Sequence, residues 1–440
     1  MKKAIIISTI YLLIIVNAIP YLGCLPLDNN PNLIIDSNTL YVGGSGEGNY
    51  SKIQDAIDNA SDGDIVFVYN DSSPYFEHIV INKQIDLIGE DRETTIIDGY
   101  REGTVITING LNITLCGFTV CNSSLQNHVG IRIMSENVTL HNNIIEHNRY
   151  GIKFESANHV QIYGNNIINN GLSGVLLHDS WYNEIFNNYF KGNWIGYEQN
   201  IFEGLDNYYN TVSQNTFFDN TNSICLTAST DNIISDNNIS NSNVYGIKLA
   251  ADCHNNTLFH NQFSGNGQNA YDFNPYNRWD NGYPCGGNFW DDYTGRDFYS
   301  GPNQDEPGSD GIGDIPYEIE GGNQDRYPLY TLWQPLLTIE IQGGKGVTLV
   351  ITNSGDLDAT SVNWSIMIKN GLFITPTSTN GTIGMVGGND FEEVNIPVFG
   401  IGLGIFSKMP YLIAMVECHE GSFDSDCEYA KIFFLKVTIQ

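Results

Sequence analysis

The sequence predicts an all-β chain in which a parallel β-helix is closed at its front by a short helix and followed by a smaller β-sandwich. Three observations carry that prediction. Asparagine recurs at Asn142, Asn165, Asn187, Asn215, Asn237 and Asn261, at intervals of about 22–28 residues, each followed two residues on by an aliphatic or aromatic residue. Between these asparagines, GIRIM, GIKFE, GVLLH and GIKLA place apolar side chains at the first and third residues after the glycine, the alternation of a short strand with one face inward. After Trp333 the asparagine period is gone, and longer alternating strands with NSGD and GGND turns begin.

Asparagine is a poor strand and helix residue, so its repetition needs a reward. At a tight corner it adopts left-handed backbone angles more readily than most residues. Stacked coil on coil, about 4.8 Å apart, its amides can also hydrogen-bond along a column. A second series, Asn148, Asn170, Asn193, Asn220, Asn243 and Asn266, follows five or six residues on.

The elements follow in order. Residues 1–18 begin with two lysines, run apolar from Ala4 to Val16 and reach a small residue at Ala18, as a secretory signal does; 19–40 are a leader. SKIQDAIDNA, with Ser51 and Gln54 as a capping box and Ile53, Ala56 and Ile57 on one face, predicts a helix covering the first coil. The β-helix is expected over 41–275, a Gly-, Asp- and aromatic-rich cap over 276–332, and the β-sandwich over 333–440. Cys418 and Cys427 flank HEGSFDSD, a predicted hairpin turn, and are expected to pair. Export agrees with the sequons at Asn49, Asn137 and Asn380 and with eight cysteines.

The formal net charge is −31 with 19 Lys and Arg, which repels nucleic acid and anionic lipid. It also disfavours polyanionic substrates unless a cation mediates.

Several motifs bear on function. If the first and third residues after each glycine point inward, the second and fourth point out, placing Arg132, Lys153 and Glu198 near Glu155 and His178. Such a group could transfer protons in a polysaccharide lyase or glycoside hydrolase, although mixed outward charges are more often simply solvated. Trp279, Tyr283 and Tyr293, among Asn288 and Asp292, suit stacking on sugar rings and bonding of hydroxyls; as an alternative, these aromatics plug the last coil, Trp290 above all. In SDGIGD, Asp310 and Asp314, with Asp305 nearby, resemble part of a calcium loop, and the alternative is Asx turns.

The I-Q-x-A-I helix, the Asn-rich coils, GGNFWDDY (286–293) and DGIGDIPYEIEGGNQDRYPL (310–329) together resemble the NosD-like right-handed β-helix proteins, within the wider pectin-lyase-like group. GVTLVITNSGDLDA is similar to the opening of immunoglobulin-like modules of prokaryotic surface proteins. The resemblance implies a cell-surface or secreted protein that binds a polysaccharide or envelope glycan, with contacts to other surface proteins through its C-terminal module. It also implies copper binding as in some relatives. Yet among nine histidines, including His141 and His159, no C-x-x-C, H-x-H or methionine cluster supplies a copper site.

Overall fold

In a computed structural model the described residues are 38–439 apart from 125, 127, 201–206, 251, 331–336, 354–357, 370–371, 374–377, 389, 399, 403–410, 419–422 and 435. The expected signal segment therefore lies outside them. They divide into a solenoid unit ending at Tyr330 and a second unit after it.

Each solenoid coil is three short strands, for example Val138–His141, Ile144–Glu146 and Tyr150–Glu155. Stacking them builds three parallel sheets. The first has ten strands, from Thr39–Val42 to Thr257–Phe259. The second has nine, from Ile96–Asp98 to Phe289–Trp290, and the third nine, from Ile79–Ile81 to Gln268–Asp272. Registers run without slip: Ile131, Ile152 and Val175 stack, and so do Ile133, Phe154 and Leu177, all fully buried. The alternation read from the glycine-led strands is thus the inward face of the third sheet, and a one-residue slip would turn every one of these side chains to water.

The asparagines are structural, with a one-residue correction. The column between the first and second sheets is Asn143, Asn165, Asn188, Asn215, Asn237, Asn261 and Asn288. Asn142 and Asn187, expected in it, are the left-handed corner residues just before it. Asn215 is representative. Its amide nitrogen donates to Ile185 O (2.8 Å), Ser213 O (2.9 Å) and Asn237 Oδ1 (3.1 Å), while its Oδ1 accepts from Asn188. Every donor of a buried amide is thereby satisfied. A second column joins Asn148, Asn170, Asn193 and Asn220, and Ser242 rather than Asn243 continues toward Asn266. A third, unforeseen, joins Asn183, Asn210, Asn232, Asn256 and Asn277 at the entry to the first sheet.

Helix α1, Ile53–Asn59, buries Ile53, Ala56 and Ile57 in the solenoid core. The expected Ser51–Gln54 capping box is absent. The N-cap is Lys52, and the orphan amides of Ile53 and Gln54 donate instead to the Glu77 carboxylate at 2.9 and 3.0 Å. Gln54 is drawn away to Asp58 and to the backbone of Val80.

The C-terminal unit is antiparallel. Leu337–Gly344, Gly346–Asn353 and Asp390–Ile396 form one sheet, and a larger one includes Ala359–Lys369 and Tyr411–Glu417. Leu349, Ile351, Val362, Ile366 and Leu412 share its core. The expected Cys418–Cys427 bridge does not fit the hairpin register. Cys427 faces Ile413, whereas Cys418 follows Glu417, itself opposite Phe423. Five residues of strand, about 16 Å, separate the two along the ladder, and a disulfide needs Cα atoms within about 7 Å.

Candidate functional site

On the outer face of the third sheet the structure does bring Arg132, Lys153, Glu155 and His178 together. Arg132 pairs with Lys153 across adjacent coils, and Glu155 with His178. Lys153 Nζ lies 2.7 Å from Glu155 Oε1, and Arg132 Nε 3.8 Å from the same atom. Burial alone would raise the Glu155 pKa, but the hydrogen bond and charge of Lys153, with Arg132, outweigh it and hold the carboxyl below its usual range. Burial, aided by Lys153, pushes His178 down to about 4, so it is a neutral imidazole at physiological pH. Glu198 stands apart, since the buried Leu176 occupies the coil between it and Lys153, and it bonds Ser173 Oγ and Asn200. An acid–base pair works best with pKa values near the operating pH. Here both candidate groups are displaced downward, and the cluster is a partly buried ion-pair network.

The aromatic residues of the cap are mostly a plug. Trp279 is fully buried with its indole N–H on Asp272 Oδ2 (2.8 Å), so it cannot stack on a ligand. Asn288, equally buried, is the last rung of the first asparagine column and donates to Leu258 O and Trp279 O. Trp290 is sandwiched between Phe263 (4.3 Å) and Tyr317 (4.1 Å). Tyr293 donates to Ile315 O, and Asp292 accepts from Asn269 and Tyr317. Tyr283, 37% exposed, is what remains of the expected sugar platform. The last coil's core must be covered, and each buried N–H needs an acceptor. That is why aromatics, asparagine and aspartate gather here.

The acidic loop likewise turns inward. Asp310 accepts from Gly301 N, Gln304 Nε2 and Ile312 N, and Asp314 from Phe298 N and Tyr299 N, while Asp305 lies exposed beside them. Only the bond from Ile312 N to Asp310 is an Asx turn, and the other bonds tie the loop to segments earlier in the chain; among the described residues no group of three or more His, Cys, Asp or Glu is placed to hold a metal ion.

A different place has the makings of a site. On the outer face of the first sheet a groove of 330 Å³ is lined by Asn137, Thr139, His159, Val160, Gln161, Tyr182 and Glu184. Its floor is the column Thr139, Gln161, Glu184, in which Gln161 Nε2 donates to Glu184 Oε2 (2.8 Å). On the corner side stand His159, Tyr182 and Tyr209, their rings near-parallel at 5.6 and 5.2 Å, beside the stacked pair Trp181 and Tyr208 (5.3 Å). Toward the other edge of the sheet run His141, Tyr163 and Phe186, stacked at 5.0 and 5.1 Å. Burial pushes His141 down to about 4, so this imidazole too is neutral. The sequence held a signal for the groove in Trp181-Tyr182-Asn183 and Tyr208-Tyr209-Asn210, paired aromatics directly before rungs of the third column.

Fold and site together define a parallel β-helix with a polar, aromatic-flanked groove along one sheet and a plugged far end. The chain belongs to the NosD family: residues 32–295 match the model described as periplasmic copper-binding protein (NosD). For copper the donor set does not fit among the described residues. The closest imidazole–thiol pair, His260 and Cys285 at 3.5 Å, has its Nε2 on Cys285 O and gains no third soft donor. Among solved structures the chain is similar to pectate lyase Pel9A (13% identity, TM-score 0.42, 57% of this chain and 74% of that one). It is also similar to the enzymatically active domain of Bacteriophage CBA120 tailspike protein 2 (12%, TM-score 0.40, 92% and 79%) and to alginate lyase from Paenibacillus sp. str. FPU-7 (15%, TM-score 0.31, 57% and 97%). No curated protein matches it.

Proposed function

We propose that this protein is an extracytoplasmic solenoid that binds a polysaccharide or cell-envelope glycan without cleaving it. The observation that carries the reading is the first-sheet groove, where half-exposed aromatic rings flank a floor of hydroxyl, amide and carboxylate groups repeated coil by coil. Sugars offer apolar ring faces and many hydroxyls, and such a lining complements both. The internal pairing of Lys153 with Glu155 on the third sheet supports binding without turnover. The basic-then-apolar start up to Ala18 and the family's description as periplasmic support export. Among the described residues no helix is long and apolar enough to cross a membrane. The C-terminal unit serves as a spacer or as a contact for other surface proteins.

The second reading, a lyase or hydrolase on the third sheet, rests on the gathering of Arg132, Lys153, Glu155 and His178. A glycan array on the secreted protein, with reducing-end release assayed in parallel, separates the two. Binding without release supports the proposal, and release abolished by Lys153→Ala replaces it with an enzyme. Repeating the array with calcium and with chelator tests Asp305, Asp310 and Asp314: binding lost under chelator would assign them a cation.

A further inference from the structure

The corner leading into the first sheet is built on left-handed backbone in successive coils: Asn137, His159, Tyr182, Tyr209, Asp231 and Asn255, with φ from 54° to 59°. Asparagine and aspartate tolerate this conformation, and histidine is moderately enriched in it. Tyrosine gains nothing from it. Three consecutive coils nevertheless carry rings there, and in two of them the ring is a tyrosine, which this backbone does not favour and which remains 48% and 49% exposed. The core gains no burial from such rings, and a local choice that opposes backbone preference without serving packing points to function.

The stack also has an open end. Tyr182 is covered on both faces by His159 and Tyr209, but the rung beyond His159 is Asn137, too short to cover the imidazole. His159 and Asn137 line the groove together with Thr139 and Gln161. The lining contains a carboxylate, Glu184, and neither lysine nor arginine, on a chain of net charge −31. Uronate or sulfated polymers are repelled there, whereas a carboxylate and amides accept from and donate to sugar hydroxyls.

We infer that the groove takes a neutral hexose-containing glycan, with one sugar ring seated on the open face of His159 and its hydroxyls bonded to Thr139 and Gln161, while Glu184, one coil further along, bonds the next sugar of the chain. This rests on the glycan-binding reading above. The test uses the full secreted chain with two substitutions that restore the corner's prevailing residue, His159→Asn and Tyr182→Asn, and with Glu184→Gln. Neutral gluco-, galacto- and manno-oligosaccharides and acidic oligouronates are titrated by calorimetry, and melting temperature is followed alongside. The expected result is binding of a neutral oligosaccharide that weakens at least tenfold in His159→Asn and Tyr182→Asn and severalfold in Glu184→Gln, with melting temperatures unchanged or raised. Wild-type binding that is confined to oligouronates, or that survives both corner substitutions, overturns this inference while leaving glycan binding standing. Absence of any binding by the wild type overturns both.

Discussion

The outer faces of the first and third sheets are built from the same coils with the same period, yet they use their polar residues in opposite ways. On the third sheet Lys153 and Arg132 share one carboxylate, Glu155, which Lys153 engages at 2.7 Å and Arg132 faces at 3.8 Å. On the first sheet Gln161 and Glu184 also bond one another, but the pair is an uncompensated carboxylate with a neutral amide, and about half of the Tyr182 ring stays exposed beside it. In a solenoid, register alone brings like positions together, so a cluster of reactive residue types is cheap to produce. What separates a site from a solvated face is what the groups still offer to a ligand once their bonds to one another are counted.

The largest expected effect falls on both faces at once. Asn215→Leu removes an amide that satisfies Ile185 O and Ser213 O and accepts from Asn188, leaving several buried groups orphaned at about 1–3 kcal/mol each. Chemical denaturation should show the solenoid destabilised by at least about 3 kcal/mol. Glycan binding should then fall only with the unfolded fraction, which distinguishes a scaffold lesion from a groove lesion.

The second effect concerns the plug. Asp325 is fully buried beneath the last rung and accepts from Asn288 N, Trp290 Nε1 and Tyr327 N, and burial pushes its pKa from 3.8 up to about 7. Between those values the folded protein holds a proton that the unfolded chain has released, so stability falls as pH rises from about 4 to 7. Because the depressed His141 and His178 titrate in the opposite sense in both proteins, the readout is the difference: from pH 5 to pH 8 the melting temperature of the wild type should fall relative to that of Asp325→Asn. An equal slope in the variant would locate the titration elsewhere.

The smallest effect belongs to the third sheet. Lys153→Ala should change stability by only about 1 kcal/mol, because the pair is partly solvated and Arg132 still faces Glu155. It should leave glycan binding intact, and any loss of sugar release in this variant would break the comparison.

Much of the fold was legible because inward apolar positions obey a strict alternation that loops do not disturb. The asparagine spacing points one residue early at Asn142 and Asn187 because both lie in Asn-Asn pairs. One member takes the left-handed corner and the other the rung, and identical side chains cannot break the tie. The third column escaped notice because the corner before it varies in length. In sequence Trp279 and Asn288 suit a sugar platform because a plug and a platform share a composition, and only burial tells them apart. The groove was hidden for a related reason: its outward alternation occupies strands such as Gln161–Tyr163 and Glu184–Phe186, too short to show a period.

The most direct test compares Tyr182→Asn with Lys153→Ala in one glycan-binding titration, with thermal melts alongside. The account predicts at least a tenfold loss of affinity in Tyr182→Asn at unchanged or higher melting temperature, and wild-type affinity in Lys153→Ala. Unchanged affinity in Tyr182→Asn with loss in Lys153→Ala would place the site on the third sheet and contradict it.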